Sequence, residues 1–322
     1  MPDLTVTFFL PLKTHNVLMS EKGVLVRLVW MVLMVMTCCW LEVKADYTPN
    51  MQYKLCVCAI TQNEGRFLKE WIEFHRLQGV DHFLIWDNAS TDNTLEVLTP
   101  YINSGVVEYT YAPMSWGFPQ VKCYEDCIEQ MVGKTEWMLV LDTDEYCFSY
   151  GMPLSQFLDE FSDQQVGGVA FNWQMYGTSN VEEIPTNQLM IENLVMKAPR
   201  DHDENRHVKI CVKPEKVKAI VNPHVFRYYG NCQTVTTGWA PVEHHVTDSV
   251  NISRARINHY WCRDKKFFQE EKIKRRKFTC NDDEGISRCR EILYNTEKDE
   301  TMLDFVPQLS KSMCQARPPK GV

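Results

Sequence analysis

"WMLVLDTDEYCF" runs from Trp137 to Phe148. Five apolar or aromatic residues, Trp137 to Leu141, lead straight into Asp142 and Asp144, with Glu145 behind them. Such a run before a polar turn reads as a buried strand. Carboxylates are rarely buried unless something cationic meets them, so the partner of these acids is the first question the chain poses.

Outward from this stretch the pattern alternates. "LCVCAI" (55–60) reads as a strand and "GRFLKEWIEFHRLQG" (65–79) as an amphipathic helix stopped by Gly79. "HFLIWD" (82–87), "VVEYTYA" (106–112) and "EWMLVLD" (136–142) read as further strands, separated by the helices "TLEVLTPYINSG" and "VKCYEDCIEQMVG". A helix "PLSQFLDEF" and a fifth strand "GGVAFNW" (167–173) follow. Strands alternating with helices predict an α/β fold, a mostly parallel sheet with helices on both faces. After about residue 175 Pro, His and Cys are spread through an irregular C-terminal part.

Open sheets of this kind bind ligands beyond the carboxyl ends of their strands. Four polar loops fall on that edge: "TQNEGR", "DNASTDNT", "DTDE" and "NWQMYGTSN". Asp142 and Asp144 are two apart, so in an extended segment both carboxylates point the same way. They would repel unless a divalent ion lay between them, and hard oxygen ligands suit Mg²⁺ or Mn²⁺. An isolated Asp-x-Asp is otherwise a common turn, because Asp caps turns and helices. The basic run "KIKRRK" (272–277) reads as a solvated helix face.

"TQNEGRFLKEWIEFHRLQGVDHFLIWDNASTDNT", "WMLVLDTDEY", "NWQMYGTSN" and "INHYWCRDKKFFQEEKIKRR" resemble, in this order, the blocks of glycosyltransferase family 92 and its relatives in the family 2 superfamily. The resemblance covers roughly residues 54 to 278. It implies a GT-A fold and inverting transfer of a sugar, often galactose from UDP-galactose, to a glycan in the Golgi. It places Asn63 and Glu64 near the nucleotide, Asp87 at the uracil or ribose, and Asp142 and Asp144 at the metal and diphosphate. Gln120 and Asp126 are weaker sugar or nucleotide contacts, and His259 in "NHY" becomes a third metal ligand. An ordinary interfacial histidine is the plain alternative for His259. Asn180 stands where the family pattern has a glycine, and Arg263-Asp264-Lys265 where relatives have a Lys-Ser pair. For the catalytic base, position alone favours Glu182 or Glu183 in the loop after the fifth strand, with Asp203, His224 and Glu243 open.

Composition bounds the rest. The 322 residues are 44% hydrophobic and 24% charged, as in a folded protein, and the net charge of -8 argues against nucleic acid as main partner. "GVLVRLVWMVLMVMTCCWL" (23–41) has the length of a spanning helix, with Lys13, Lys22 and Arg27 before or within its start. The expected organisation is a cytoplasmic tail (1–22), a signal-anchor (23–42), a short stem (43–53), the catalytic domain (54–280) facing the lumen, and a C-terminal tail (281–322). A cleaved signal peptide ending at "VKA" is the alternative. Thirteen cysteines in an oxidising compartment make disulfides plausible among Cys211, Cys232, Cys262, Cys280, Cys289 and Cys314. Cys56, Cys58, Cys123 and Cys127 read as core packing. Two other classes compete: a catalytically silent glycan-binding or scaffold protein, which loss of either Asp would favour, and a glycoside hydrolase. The hydrolase pair normally comes from separate segments, whereas acids two residues apart suit an ion.

Overall fold

The computed structural model describes residues 51–113, 120–274 and 284–315. The apolar segment 23–41 lies outside them. No helix among the described residues is long and apolar enough to cross a membrane.

The chain opens β1 (Tyr53–Thr61), α1 (Gly65–Leu77), β2 (His82–Asp87), α2 (Thr94–Asn103), β3 (Val107–Tyr111), α3 (Gln120–Met131) and β4 (Thr135–Asp142). Strands β4, β1, β2 and β3 lie side by side in that order, all parallel. Burial on both faces explains the unbroken apolar runs of β1, β2 and β4, whereas the edge strand β3 (VEYTY) is buried only at Val107. In β1, Leu55, Val57 and Ala59 face the core under α1, with Trp71, Phe74 and Phe83. Cys56 and Cys58 face the other way, with Cys123 and Cys127 of α3. The four cysteines therefore pack as expected, Cys58 Sγ lying 2.8 Å from Cys127 Sγ. Helix α1 ends at Leu77, and Gly79 follows with φ of +83°, the left-handed position that suits glycine after a helix.

Beyond β4 the structure departs from simple alternation. A two-residue turn leads directly into β5 (Glu145–Ser149), which the sequence reading did not anticipate. The expected fifth strand is β6 (Val166–Met175), but it does not adjoin β4. After the short β7 (Met196–Lys197), β8 (Val208–Val212) inserts between them, antiparallel to both. The chain then forms the hairpin β9 (Val217–Asn222) and β10 (Val225–Tyr228), then β11 (Gln233–Thr236) and β12 (Pro241–Val242) at the sheet's other edge. Strand β6 carries Gly167 and Gly168 because a Cβ there would fall 2.4 and 2.3 Å from Tyr228 side-chain atoms. Finally β13 (Ala255–His259) runs parallel to β6 and antiparallel to β5.

Residues 284–315 are not a loose tail. Helix α4 (Glu284–Leu293) is followed by β14 (Glu297–Lys298), which pairs with β7, and by α5 (Val306–Gln315). Tyr294, Met302 and Leu309 are buried, and Lys69 donates to the Met313 carbonyl. The expected disulfides are also absent among the described residues: Cys211, Cys232, Cys262, Cys289 and Cys314 are all free. Cys211 and Cys262 lie in separate buried clusters, and Cys280 is outside the described residues.

The buried His75 contributes to acid sensitivity of the fold. His75 Nδ1 lies 2.8 Å from the Trp71 carbonyl and so carries the proton, while Nε2 accepts from the Cys147 N–H at 3.2 Å. Burial pushes its pKa down to about 3 from 6.5. Between those values the unfolded chain binds a proton that the folded one refuses, so stability falls as pH drops below 6.5, by about 1.4 kcal/mol per unit. Urea unfolding from pH 6.5 to 4.5 reads this contribution on top of those of His224, also lowered by burial, and Glu70, which is raised and acts oppositely. His75→Gln should reduce the slope by about 1.4 kcal/mol per unit, and an unchanged slope would remove His75 from the account.

Candidate functional site

The carboxyl ends of β1, β2 and β4 open on a cleft of about 550 Å³. Its floor is Asp142, Thr143 and Asp144, and Ile60, Thr61, Gln62 and Asn88 form the wall above β1 and β2. Trp173, Glu204, His207, His259, Trp261, Lys272 and Arg290 close it from the C-terminal half.

The acids meet their cations here. The pairing of Leu139 with Cys211 brings Lys209, two residues back along antiparallel β8, beside the end of β4. Lys209 Nζ, 1% exposed, lies 2.9 Å from Asp142 Oδ2 and 3.6 Å from Glu145 Oε2. Gln120, at the start of α3, donates to Asp142 Oδ1 at 3.0 Å. Burial works to raise the Asp142 carboxyl, but Lys209 outweighs it and the net shift is downward. Burial would likewise neutralise Lys209, yet Asp142 and Glu145 hold its pKa above the usual range.

Asp144 has different partners. The β13–β5 register sets His259 opposite Glu145, and the Tyr260 N–H donates to the Asp144 carbonyl. His259 Nε2 thereby lies 3.3 Å from Asp144 Oδ1, while Lys272 Nζ lies 2.7 Å from Asp144 Oδ2. Burial pushes the Asp144 carboxyl up, but Lys272 and then His259 outweigh it and hold it well below the carboxylate range.

These positions suit a divalent ion only in part. Two donors on adjacent corners of an octahedral ion with bonds of ~2.1 Å lie ~3 Å apart, so Asp144 Oδ1 and His259 Nε2 are spaced to share one. An acid and an imidazole also suit Mn²⁺ chemically. His259 Nδ1 is buried without a hydrogen-bond partner. Asp142, by contrast, is turned to Lys209 and Gln120, and no cluster of three or more His, Cys, Asp or Glu placed to hold a metal occurs among the described residues.

The other sequence candidates divide. Glu64 lines the cleft, its Oε2 3.0 Å from the buried Arg263, which also donates to the Thr143 carbonyl. Arg263 adopts φ of +58°, and Asn180 φ of +59° where the family pattern has glycine. Asn63 ties loops together instead of lining the cleft: its N–H donates to Ser90 Oγ and its Oδ1 accepts from the Thr91 N–H. Asp87 is buried, with its oxygens taken by the Ser90 N–H and the Tyr109 hydroxyl. Asp126 faces away, paired with Lys122. Glu182 and Glu183 are corrections: both are exposed outside the cleft, and Glu183 pairs with Lys266 at 3.0 Å. The loop after β6 turns outward, so position in sequence misplaced them.

Several cleft residues escaped the sequence reading. Lys209 sits mid-strand in "VKICV", where a lone charge in an apolar run signals a buried partner. Lys272 opens the basic run taken as a solvated face, yet its side chain is only 12% exposed; Arg275–Lys277 lie outside the described residues. Glu204 and His207 lie in the irregular part, where no periodicity marks them, and Arg290 lies on α4, whose charged residues give no sign of facing a cleft.

The model of glycosyltransferase family 92 matches residues 52–302. The chain belongs to that family. A family 92 protein of Ricinus communis is 27% identical over 175 residues, 52% of this chain and 30% of the relative. One of Arabidopsis thaliana is 23% identical over 192 residues, 56% of this chain and 31% of the relative. The family 92 chain thus matches about a third of the length of these curated relatives. Among solved structures, S. aureus TarS (residues 1–349) is similar at 15% identity with TM-score 0.36, covering 81% of this chain and 71% of TarS. Glucosyl-3-phosphoglycerate synthase from Mycobacterium tuberculosis, solved with Mn²⁺, UDP and glucosyl-3-phosphoglycerate, is 14% identical with TM-score 0.29, covering 44% and 50%.

Proposed function

We propose that the cleft transfers a sugar, with galactose the first candidate, from a nucleotide-diphosphate sugar to a glycan acceptor with inversion. The observation that supports this reading is Asp144 Oδ1 facing His259 Nε2 at 3.3 Å at the carboxyl edge of a parallel sheet. Asp144 and His259 would hold Mn²⁺ or Mg²⁺, and such an ion would offset charge gathering on a departing diphosphate.

The remaining roles fall to protein groups. Ile60, Thr61, Gln62 and Asn88 flank the space for uracil and ribose. Lys209 keeps Asp142 ionised and fixed. Glu204 replaces Glu182 and Glu183 as the candidate base: it lines the cleft, and Arg290 Nε holds its Oε1 at 3.1 Å. In transfer it would accept the acceptor hydroxyl's proton as that oxygen attacks the anomeric carbon.

The full-length chain, assayed with a panel of UDP-sugars and glycan acceptors, should release UDP and extend an acceptor with Mn²⁺ and stop with EDTA. Transfer unaffected by EDTA would remove the ion, and no transfer with any donor would favour the silent glycan-binding reading. We also propose that residues 23–41 anchor the chain with its body in the Golgi lumen, from the apolar length and the charges before it. In intact microsomes the body should resist added protease; digestion there would reverse the topology.

A further inference from the structure

Lys272 is not on a solvated face: its side chain lies in the wall of the cleft, paired with Asp144. It closes a π-helical turn, Phe268–Lys272, a distortion that recurs at functional sites. Its Nζ sits 2.7 Å from Asp144 Oδ2 and 5.2 Å from the centre of the Trp261 ring. Arg290 approaches the same ring, its Cζ 5.9 Å from the centre, and both cations line the cleft. The other oxygen of Asp144 faces His259, so one carboxylate is shared between an ammonium and an imidazole.

A divalent ion on this carboxylate would compete with the ammonium. An ion held by Asp144 and His259 would bring two positive charges beside Lys272 and repel it, even with the screening of a protein cleft. The ammonium is able to move, because it stands at the end of a flexible four-carbon stem over Trp261. What it can move to is the anion that arrives with the ion.

Resting on the reading of this cleft as a donor site, we propose that Lys272 is a diphosphate ligand that waits on Asp144 in the donor-free protein. With a divalent ion held by Asp144 and His259, the ammonium would turn to the phosphate oxygens, with Arg290 beside it against Trp261. Lys272 thus lowers affinity for the ion alone and raises affinity for the ion and nucleotide together. The site then loads metal and donor jointly instead of trapping metal first.

The test uses Mn²⁺, uridine and UDP as probes on the full-length chain. Lys272→Met keeps the stem and removes the charge. It should bind UDP with Mn²⁺ roughly ten- to a hundredfold more weakly, the value of one charge-assisted hydrogen bond. Uridine binding should be unchanged, and Mn²⁺ alone should bind more tightly than to the unaltered protein. A residue of purely structural importance would weaken all three. Lys274→Ala, an exposed neighbour, should change none. In the unaltered protein, acetylation read by mass spectrometry should find Lys272 more reactive with Mn²⁺ alone and protected by Mn²⁺ with UDP, which decides the matter if Lys272→Met fails to fold. Equal UDP affinity in Lys272→Met, weaker Mn²⁺ binding, or reactivity indifferent to both probes overturns the proposal. Failure of the unaltered protein to bind UDP with Mn²⁺ overturns the donor reading as well.

Discussion

Asp144→Asn is expected to remove metal-dependent transfer, lowering kcat/KM by about a thousandfold or more, while the protein still folds. The substitution keeps the shape of the side chain and deletes the charge that meets both His259 and Lys272. A neutral amide holds a divalent ion poorly, so the loss is set by the several kcal/mol of electrostatic stabilisation such an ion gives a leaving diphosphate. Two effects oppose each other in the fold. Lys272 loses its counter-ion, but Asp142 loses a like charge that had pushed its own carboxyl upward. Asp142→Asn should behave differently, because Asp142 faces Lys209 and Gln120. It leaves a nearly fully buried ammonium without its closest carboxylate, so its first effect is on the urea midpoint. Full activity of Asp144→Asn in EDTA would end the mechanism.

Glu204→Gln is expected to cut kcat by about a hundredfold or more while leaving UDP affinity within about twofold, the signature of a lost proton acceptor. Glutamine keeps its one oxygen for Arg290 and turns its amide N–H to the Tyr294 hydroxyl, whose oxygen can accept, so the wall of the cleft keeps its shape. The negative charge is removed, and the basicity with it. The comparison variants Glu182→Ala and Glu183→Ala touch exposed side chains outside the cleft and should retain kcat. If instead Glu204→Gln keeps kcat and raises only the acceptor KM, Glu204 binds acceptor and the proton goes elsewhere.

The parallel half of the sheet was legible because β1, β2 and β4 are each an apolar run on their own, and the helices between them show their period. Asp142 and Asp144 were legible for the same reason: a polar pair at the end of such a run stands out. His259 came only from the family resemblance; what brings it to Asp144 is the pairing of β13 with β5, and β5 itself was hidden in the turn region after the acids. Strand β8 is five residues long, and neither its direction nor its place between β4 and β6 leaves a mark in the sequence. Glu182 and Glu183 failed because a loop's place in the chain does not say which way its side chains point.

Strand β8 also has a consequence during synthesis. The outer edges of β4 and β6 both wait for the same partner, and Val212 emerges roughly 70 residues after Asp142. At ribosomal speeds of ~5–20 residues per second, the open edge of β4 stays unpaired for about 4–14 seconds. During that time an apolar strand ends in three acids whose lysine has not yet been made. Exposed edges of this kind recruit other chains, and pairing distant in sequence is slow. Like charges at the end of β4 would oppose its pairing with a second copy of itself while that edge is open.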